Sequence, residues 1–158
     1  MDPAAYEGSV YDIRKDVQKF KRENGPEQGK DYSELNDDQL TDDYHYMIFP
    51  NITMNVHADD MMMFRQRPHP EDPNKMFFDY YMYELPDNEF DQEEHIRPKH
   101  KTYKYGDVSL GLVINQDAYN LPHVQKGMNS AGYKGLWIGD QELRVRHFHK
   151  TLEDYLEK

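Results

Sequence analysis

The clearest pattern in the chain is a helical stripe near its end. Leu110, Ile114, Asp117, Leu121, Val124 and Met128 follow one another in steps of four and three residues. That spacing keeps side chains on one face of an α-helix. Asp107 suits the N-cap, and the stripe predicts a helix from there to about residue 129. Pro122 lies inside it, so a kink is expected near Ala118. Five stripe positions are apolar and one, Asp117, is a carboxylate.

Upstream the period changes to two. In "YHYMIFPNITMNVHA", Ile48, Ile52, Met54 and Val56 alternate with mostly polar neighbours, and Pro50 marks a break or an edge position between two strand pieces. "ADD" (58–60) predicts a turn, "MMMFRQRPHP" (61–70) a strand, and "EDPN" (71–74) a second turn. "KMFFDYYMYELP" (75–86) is the strongest strand signal, dense in aromatics. Short turns between successive strands imply an antiparallel meander. Residues 1–43 are polar, with one short helix expected at about 9–22 from Val10, Ile13, Val17 and Phe20. Gly25, Pro26 and Gly29 end it, and the rest to Asp43 reads as a surface loop. Residues 87–106 read as an irregular connection and "AGYKGLWIGD" as a glycine-rich one. "QELRVRHFHKTLEDYLEK" predicts a closing helix carrying Leu143, Phe148, Leu152 and Tyr155. The expected fold is α+β: an antiparallel twisted sheet with a kinked C-terminal helix packed across it.

Composition narrows the function classes. The 158 residues suit one domain, and a chain of that length can bury roughly 70% of its unfolded surface. Only 37% of residues are hydrophobic and the mean hydropathy is −1.08, so a core has to lean on 13 Tyr, 7 Phe and 9 Met. A net charge of −11 argues against nucleic acid and anionic membrane as partners. No signal peptide or long apolar run is seen, which points to a soluble, cytoplasmic chain. Without cysteine there is no disulfide, thiolate metal site or self-contained iron–sulfur cluster. Metal chemistry has to use the eight histidines and the carboxylates.

Asp117 is the first candidate, because an isolated carboxylate on a buried stripe has to be paired, protonated or bound to a metal. The spacing leaves two readings. Either an arginine, backbone amides or water entering at the kink satisfies it, or it faces a cavity and ligates a metal. Among the histidines, His95 and His100 have a ligand-like separation, but Pro98 and charged neighbours mark them as a solvated loop. His147 and His149, on a helix, point about 160° apart. His45 and His57 fall in strand segments, whereas His69 and His123 read as surface or packing residues. The chain contains no G-x-S-x-G, P-loop, G-x-G-x-x-G or H-E-x-x-H.

Taken together, several of these pieces resemble a known family. They are the "FPN" strand start, the "R-x-R-P" strand end, and "QD" followed by Gln125 and Gly127. Residues 40–157 are similar to the catalytic domain of Rieske non-haem iron oxygenases, the alpha (large) subunits of aromatic-ring-hydroxylating enzymes. The resemblance implies a helix-grip (START-like) domain, truncated, in which residues 1–43 belong with 44–158. It implies insertion of dioxygen into an aromatic or related apolar substrate at a mononuclear iron(II) held by two His and one Asp. The "QD" element makes Asp117 that aspartate, with Asn120 and Leu121 beside the substrate. The resemblance also implies a trimer fed with electrons by a ferredoxin or reductase. The family's Rieske domain, with its 2Fe-2S cluster, and its two iron histidines have no counterpart here. The chain is therefore expected to be a portion of an alpha subunit, supplying only the Asp and inactive alone. The competing expectation is a stand-alone helix-grip module that binds a hydrophobic small molecule without catalysis.

Overall fold

A computed structural model describes residues 5–85 and 100–157. The chain divides into two compact units, Met1–Ile96 and Arg97–Lys158.

The first unit opens with α1, Ile13–Asn24. The helix starts later than its apolar spacing predicts. The amides of Asp12 and Ile13 bond the Ser9 carbonyl in a turn, which leaves Val10 81% exposed and off the stripe. The end falls at Gly25, whose amide bonds the Lys21 carbonyl before Pro26 stops the ladder. Glycine is required there. A Cβ on Gly25 would lie 2.4 Å from the Tyr32 ring and 2.6 Å from the Lys21 carbonyl oxygen.

Residues 30–43, expected to be a plain surface loop, are instead tied to α1. Arg14, Gln18 and Arg22 recur every four residues and form a polar stripe on the helix. Arg22 donates to the carbonyls of Tyr32 (2.8 Å) and Leu35 (2.6 Å) and pairs with Asp37. Gln18 donates to the Asp37 carbonyl, and Arg14 pairs with Asp38 and Asp42. Asn36 and Gln39 exchange side-chain-to-amide bonds, both 2.9 Å, in the manner of a capping box. These bonds hold a short turn, Asp38–Leu40, so that Leu40 is only 2% exposed.

Four strands follow: β1 (Tyr44–Ile48), β2 (Ile52–Val56), β3 (Asp60–Pro68) and β4 (Met76–Glu84). They form the antiparallel meander that the period-two segments predict, in the order β1-β2-β3-β4. Pro50 lies in the hairpin loop between β1 and β2, after a cis peptide bond. Pairings Ile48↔Ile52, Met54↔Met63 and Met63↔Tyr81 place the apolar alternation of β1 and β2 on the face that also carries Met63, Tyr81 and the charged Arg65, Arg67 and Asp79. On the other face Phe64 stacks on Phe78 (5.1 Å between ring centres) and on Tyr80 (5.7 Å). No strand residue of this sheet is buried.

The second unit holds α2 (Leu112–Met128) and α3 (Leu143–Leu156). Asp107 is not the N-cap of α2. Its carboxylate accepts the Lys104 amide in an earlier turn, and the helix starts after Gly111, whose φ of 91° breaks the backbone run. Leu110 is therefore outside the helix, and its amide bonds the Asn115 side chain. α2 continues through Pro122, and none of its residues is buried. The stripe is half-buried at Ile114 and exposed from Asp117 to Met128, because no apolar layer covers it among the described residues of this unit. The expected irregular connection lies, over 87–99, outside the described residues.

Two substitutions test the packing of the first unit. Leu40→Ala should cost about 2–4 kcal/mol in urea denaturation, as for a fully buried leucine. Gly25→Ala should also destabilise, since Tyr32 has to move, whereas Val10→Ala should leave the urea midpoint unchanged.

Candidate functional site

The three residues singled out for chemistry lie on one turn of α2. Asp117, Asn120 and Leu121 are three and four residues apart, so their side chains share a face. The start of the helix is fixed locally. Asn115 Oδ1 accepts the Leu110 amide, and Asn115 Nδ2 donates to Ser109 Oγ at 2.8 Å. All three candidate side chains are exposed. Among the described residues Asp117 makes no hydrogen bond or ion pair, so the arginine partner weighed for it is not found there. His123, next to Pro122, lies against Tyr119 (5.2 Å between ring centres) rather than on the Asp117 face.

The histidines are dispersed. His57 Nδ1 contacts Asp60 at 2.8 Å, and its Nε2 lies 3.6 Å from Asp43. His69 stacks on Phe77, while its Nδ1 accepts the amides of Glu71 and Asp72. His147 and His149 both lie in α3. His95 is outside the described residues. Among the described residues no three His, Asp or Glu side chains come together as a metal-ligand group. These residues by themselves do not make a two-His, one-Asp set: Asp117 offers one carboxylate.

Two charged clusters escaped the sequence reading. The first lines a cleft of about 380 Å3 beside α1, with Val17, Phe20 and Asn24 among its walls. At its rim Asp59, in the β2–β3 turn, accepts from Lys21 Nζ (2.6 Å) and from the Tyr32 hydroxyl. Lys30 lies close by and donates to the Leu85 carbonyl. Burial pushes the Asp59 carboxyl up, but the bonds from Lys21 and Tyr32 outweigh it and hold the group below the usual carboxylate range. Tyr32 is pushed up to about 12, first by burial and then by the bond to Asp59.

The second cluster is on the sheet. Asp79 on β4 faces Arg65 and Arg67 of β3, with N···O distances of 2.7 Å and 2.8 Å. Arg67, then burial acting in opposition, then Arg65 set its proton affinity, and the net effect holds the carboxyl well below its ordinary value. "R-x-R" at period two carries both guanidiniums to one face, and a lone Asp amid the aromatics of β4 calls for a partner. Only the strand register says that they meet.

These shifts have opposite signs in pH. Asp59 and Asp79, with depressed folded values, stabilise the fold above about pH 4 and lose that contribution as pH falls through the folded values. Tyr32, with a raised folded value, stabilises the fold fully below pH 10.0 and loses that contribution as pH rises through about 12. Tyr32→Phe should therefore flatten the alkaline limb of a stability profile measured by circular dichroism. Its acid limb should persist, because the Asp79 cluster is intact. An unchanged alkaline limb would refute the assignment.

Residues 2–158 match the family described as ring hydroxylating alpha subunit (catalytic domain). Neither the curated proteins nor the solved structures yield a significant match.

Proposed function

Since the chain belongs to the ring hydroxylating alpha subunit catalytic-domain family, we propose that it is the part of such a domain that contributes the aspartate of a mononuclear iron(II) site. Asp117 supplies the carboxylate, and the two imidazoles come from outside the described residues. Bound there, iron(II) supplies activation of dioxygen for insertion into an aromatic or related apolar substrate. The role of this chain is to carry the carboxylate on a helix face with its oxygen lone pairs uncommitted. Asn120 and Leu121, one turn on, border the place where substrate lies. The observation that carries the reading is the family match over residues 2–158, in a chain whose "QD" aspartate has no protein partner among the described residues.

Other parts of the reading follow from the family. The enzyme works as a trimeric alpha subunit, takes electrons from a ferredoxin or reductase, and acts in the cytoplasm. The cluster that delivers those electrons in the family needs cysteine ligands, and these 158 residues hold none. No helix among the described residues is long and apolar enough to cross a membrane.

The purified chain, given iron(II), dioxygen and a chemical reductant, should hydroxylate no arene. It should bind iron(II) only weakly in anaerobic calorimetry, and Asp117→Ala should abolish even that binding. Stoichiometric tight binding with turnover would sink the one-ligand reading. Weak binding that survives Asp117→Ala would remove Asp117 from it.

A further inference from the structure

Asn24–Gly25 is the one Asn-Gly sequence in the chain, and it stands where α1 ends. Such a pair is chemically labile wherever its backbone is free. The deprotonated glycine nitrogen attacks the asparagine Cγ, closes a five-membered succinimide and expels ammonia. Water then opens the ring to aspartate or isoaspartate, so the net change is one water consumed and one ammonia released. Glycine permits the attack because it has no Cβ to crowd the nitrogen and its backbone rotates easily.

Here the fold keeps the reacting groups apart. Asn24 is the last residue of α1, and Gly25 continues the helical backbone with φ −57° and ψ −48°. The Gly25 amide, the nucleophile, donates to the Lys21 carbonyl at 2.8 Å. The Asn24 side-chain amide, the leaving nitrogen, donates to the Phe20 carbonyl at 2.9 Å. On its other side Gly25 is anchored by its carbonyl, which accepts the amides of Gln28 (2.9 Å) and Lys30 (2.8 Å). Ring closure needs rotation about the Asn24 Cα–C bond, which breaks the bond to Lys21 and displaces Gly25. There is no room for that movement, because the Tyr32 ring lies so close that a Cβ on Gly25 would meet it at 2.4 Å. Gly25 is buried, Tyr32 is 7% exposed, and the Tyr32 hydroxyl is held by Asp59 in the β2–β3 turn.

We propose that Asn24–Gly25 is a latent deamidation site, held closed by the Tyr32–Asp59 clasp and reactive only when that clasp releases the end of α1. The reaction runs one way in its effect on the fold. An aspartate at position 24 has no N–H for the Phe20 carbonyl, and it adds a second carboxylate to the cleft that already carries Asp59. It also sits at the negative end of the helix dipole. Isoaspartate in addition lengthens the backbone by one methylene and misplaces Gly25 beneath Tyr32. A molecule that stays open long enough to react therefore closes less well afterwards. The inference is independent of the role given to Asp117, so either can fail alone.

The test incubates the full chain at neutral pH, folded and in urea, and then digests it with trypsin. Cleavage after Arg22 and Lys30 isolates residues 23–30, on which mass spectrometry reads the change from amide to acid. A synthetic peptide of the same residues, with and without urea, corrects for any effect of urea on the chemistry. Deamidation should be roughly tenfold or more slower in the folded chain, as for a group that reacts only through local opening. Tyr32→Phe keeps the ring but loses the bond to Asp59, and should speed the reaction several-fold in the folded chain and not in urea. Asn24→Asp, which reproduces the product, should lower the urea midpoint. Equal rates in the folded and unfolded chain would overturn the proposal without any variant. So would a Tyr32→Phe protein, folded by circular dichroism, that reacts no faster than the unaltered chain. An unchanged midpoint for Asn24→Asp would refute the one-way effect.

Discussion

Asp59 is the point on which the first unit turns. It sits in the tight connection between β2 and β3, where the meander reverses, and its two oxygens reach different parts of the N-terminal segment. One accepts from Lys21 of α1, the other from the hydroxyl of Tyr32. Because Tyr32 is also the residue against which Gly25 packs, a single carboxylate links the helix, its terminating turn and the sheet. The polar stripe Arg14–Gln18–Arg22 works alongside it, holding the 32–42 segment along α1. A largely polar segment is thereby ordered with only Leu40 and Tyr32 buried. Directional bonds do much of the ordering here, and the part-buried ones from Lys21, Tyr32 and Arg22 count for more than the exposed ion pairs of Arg14.

The same physics explains what could be read from the residues. Strand alternation and turn residues are local, so β1–β4 and their order were legible in the sequence alone. α3 was legible too. The start of α2 was not: Asp107 has the right chemistry for a cap, but Gly111 at positive φ decides where helical backbone begins. The ordering of residues 30–43 was hidden because its determinants are polar. A hydrophobic pattern cannot register an Arg22 side chain that bonds the carbonyls of Tyr32 and Leu35, well beyond one helical turn. Cross-strand charge was hidden for a related reason. Arg65 and Asp79 are far apart in sequence, and only the β3–β4 register makes them neighbours.

For the candidate site, spacing put Asp117, Asn120 and Leu121 on one face, and the helix keeps them there. What spacing implied about burial did not hold, since a stripe is buried only if another layer meets it. The resemblance that assigned Asp117 rests on separated pieces of sequence, and the family match spans both units. The family therefore came from the pattern as a whole, and no single side-chain constellation among the described residues would have yielded it.

The chain's carboxylates separate by commitment. Asp59 and Asp79 are fixed by cations and hydrogen bonds, their proton affinity is depressed, and each orders the structure around it. Both oxygens of each already accept hydrogen bonds from side chains of the fold. Asp117 is different in kind. It is exposed, contributes no bond among the described residues, and costs the fold little because water solvates it. Covering that helix face would change the balance sharply, since a desolvated carboxylate has to be paired, hydrogen-bonded or protonated. An arginine could serve for stability, and this chain commits Arg65 and Arg67 in that way to Asp79. A residue left without such a partner has to be protonated, hydrogen-bonded or met by a cation when covered, and a metal ligand donated across segments is the last of these cases.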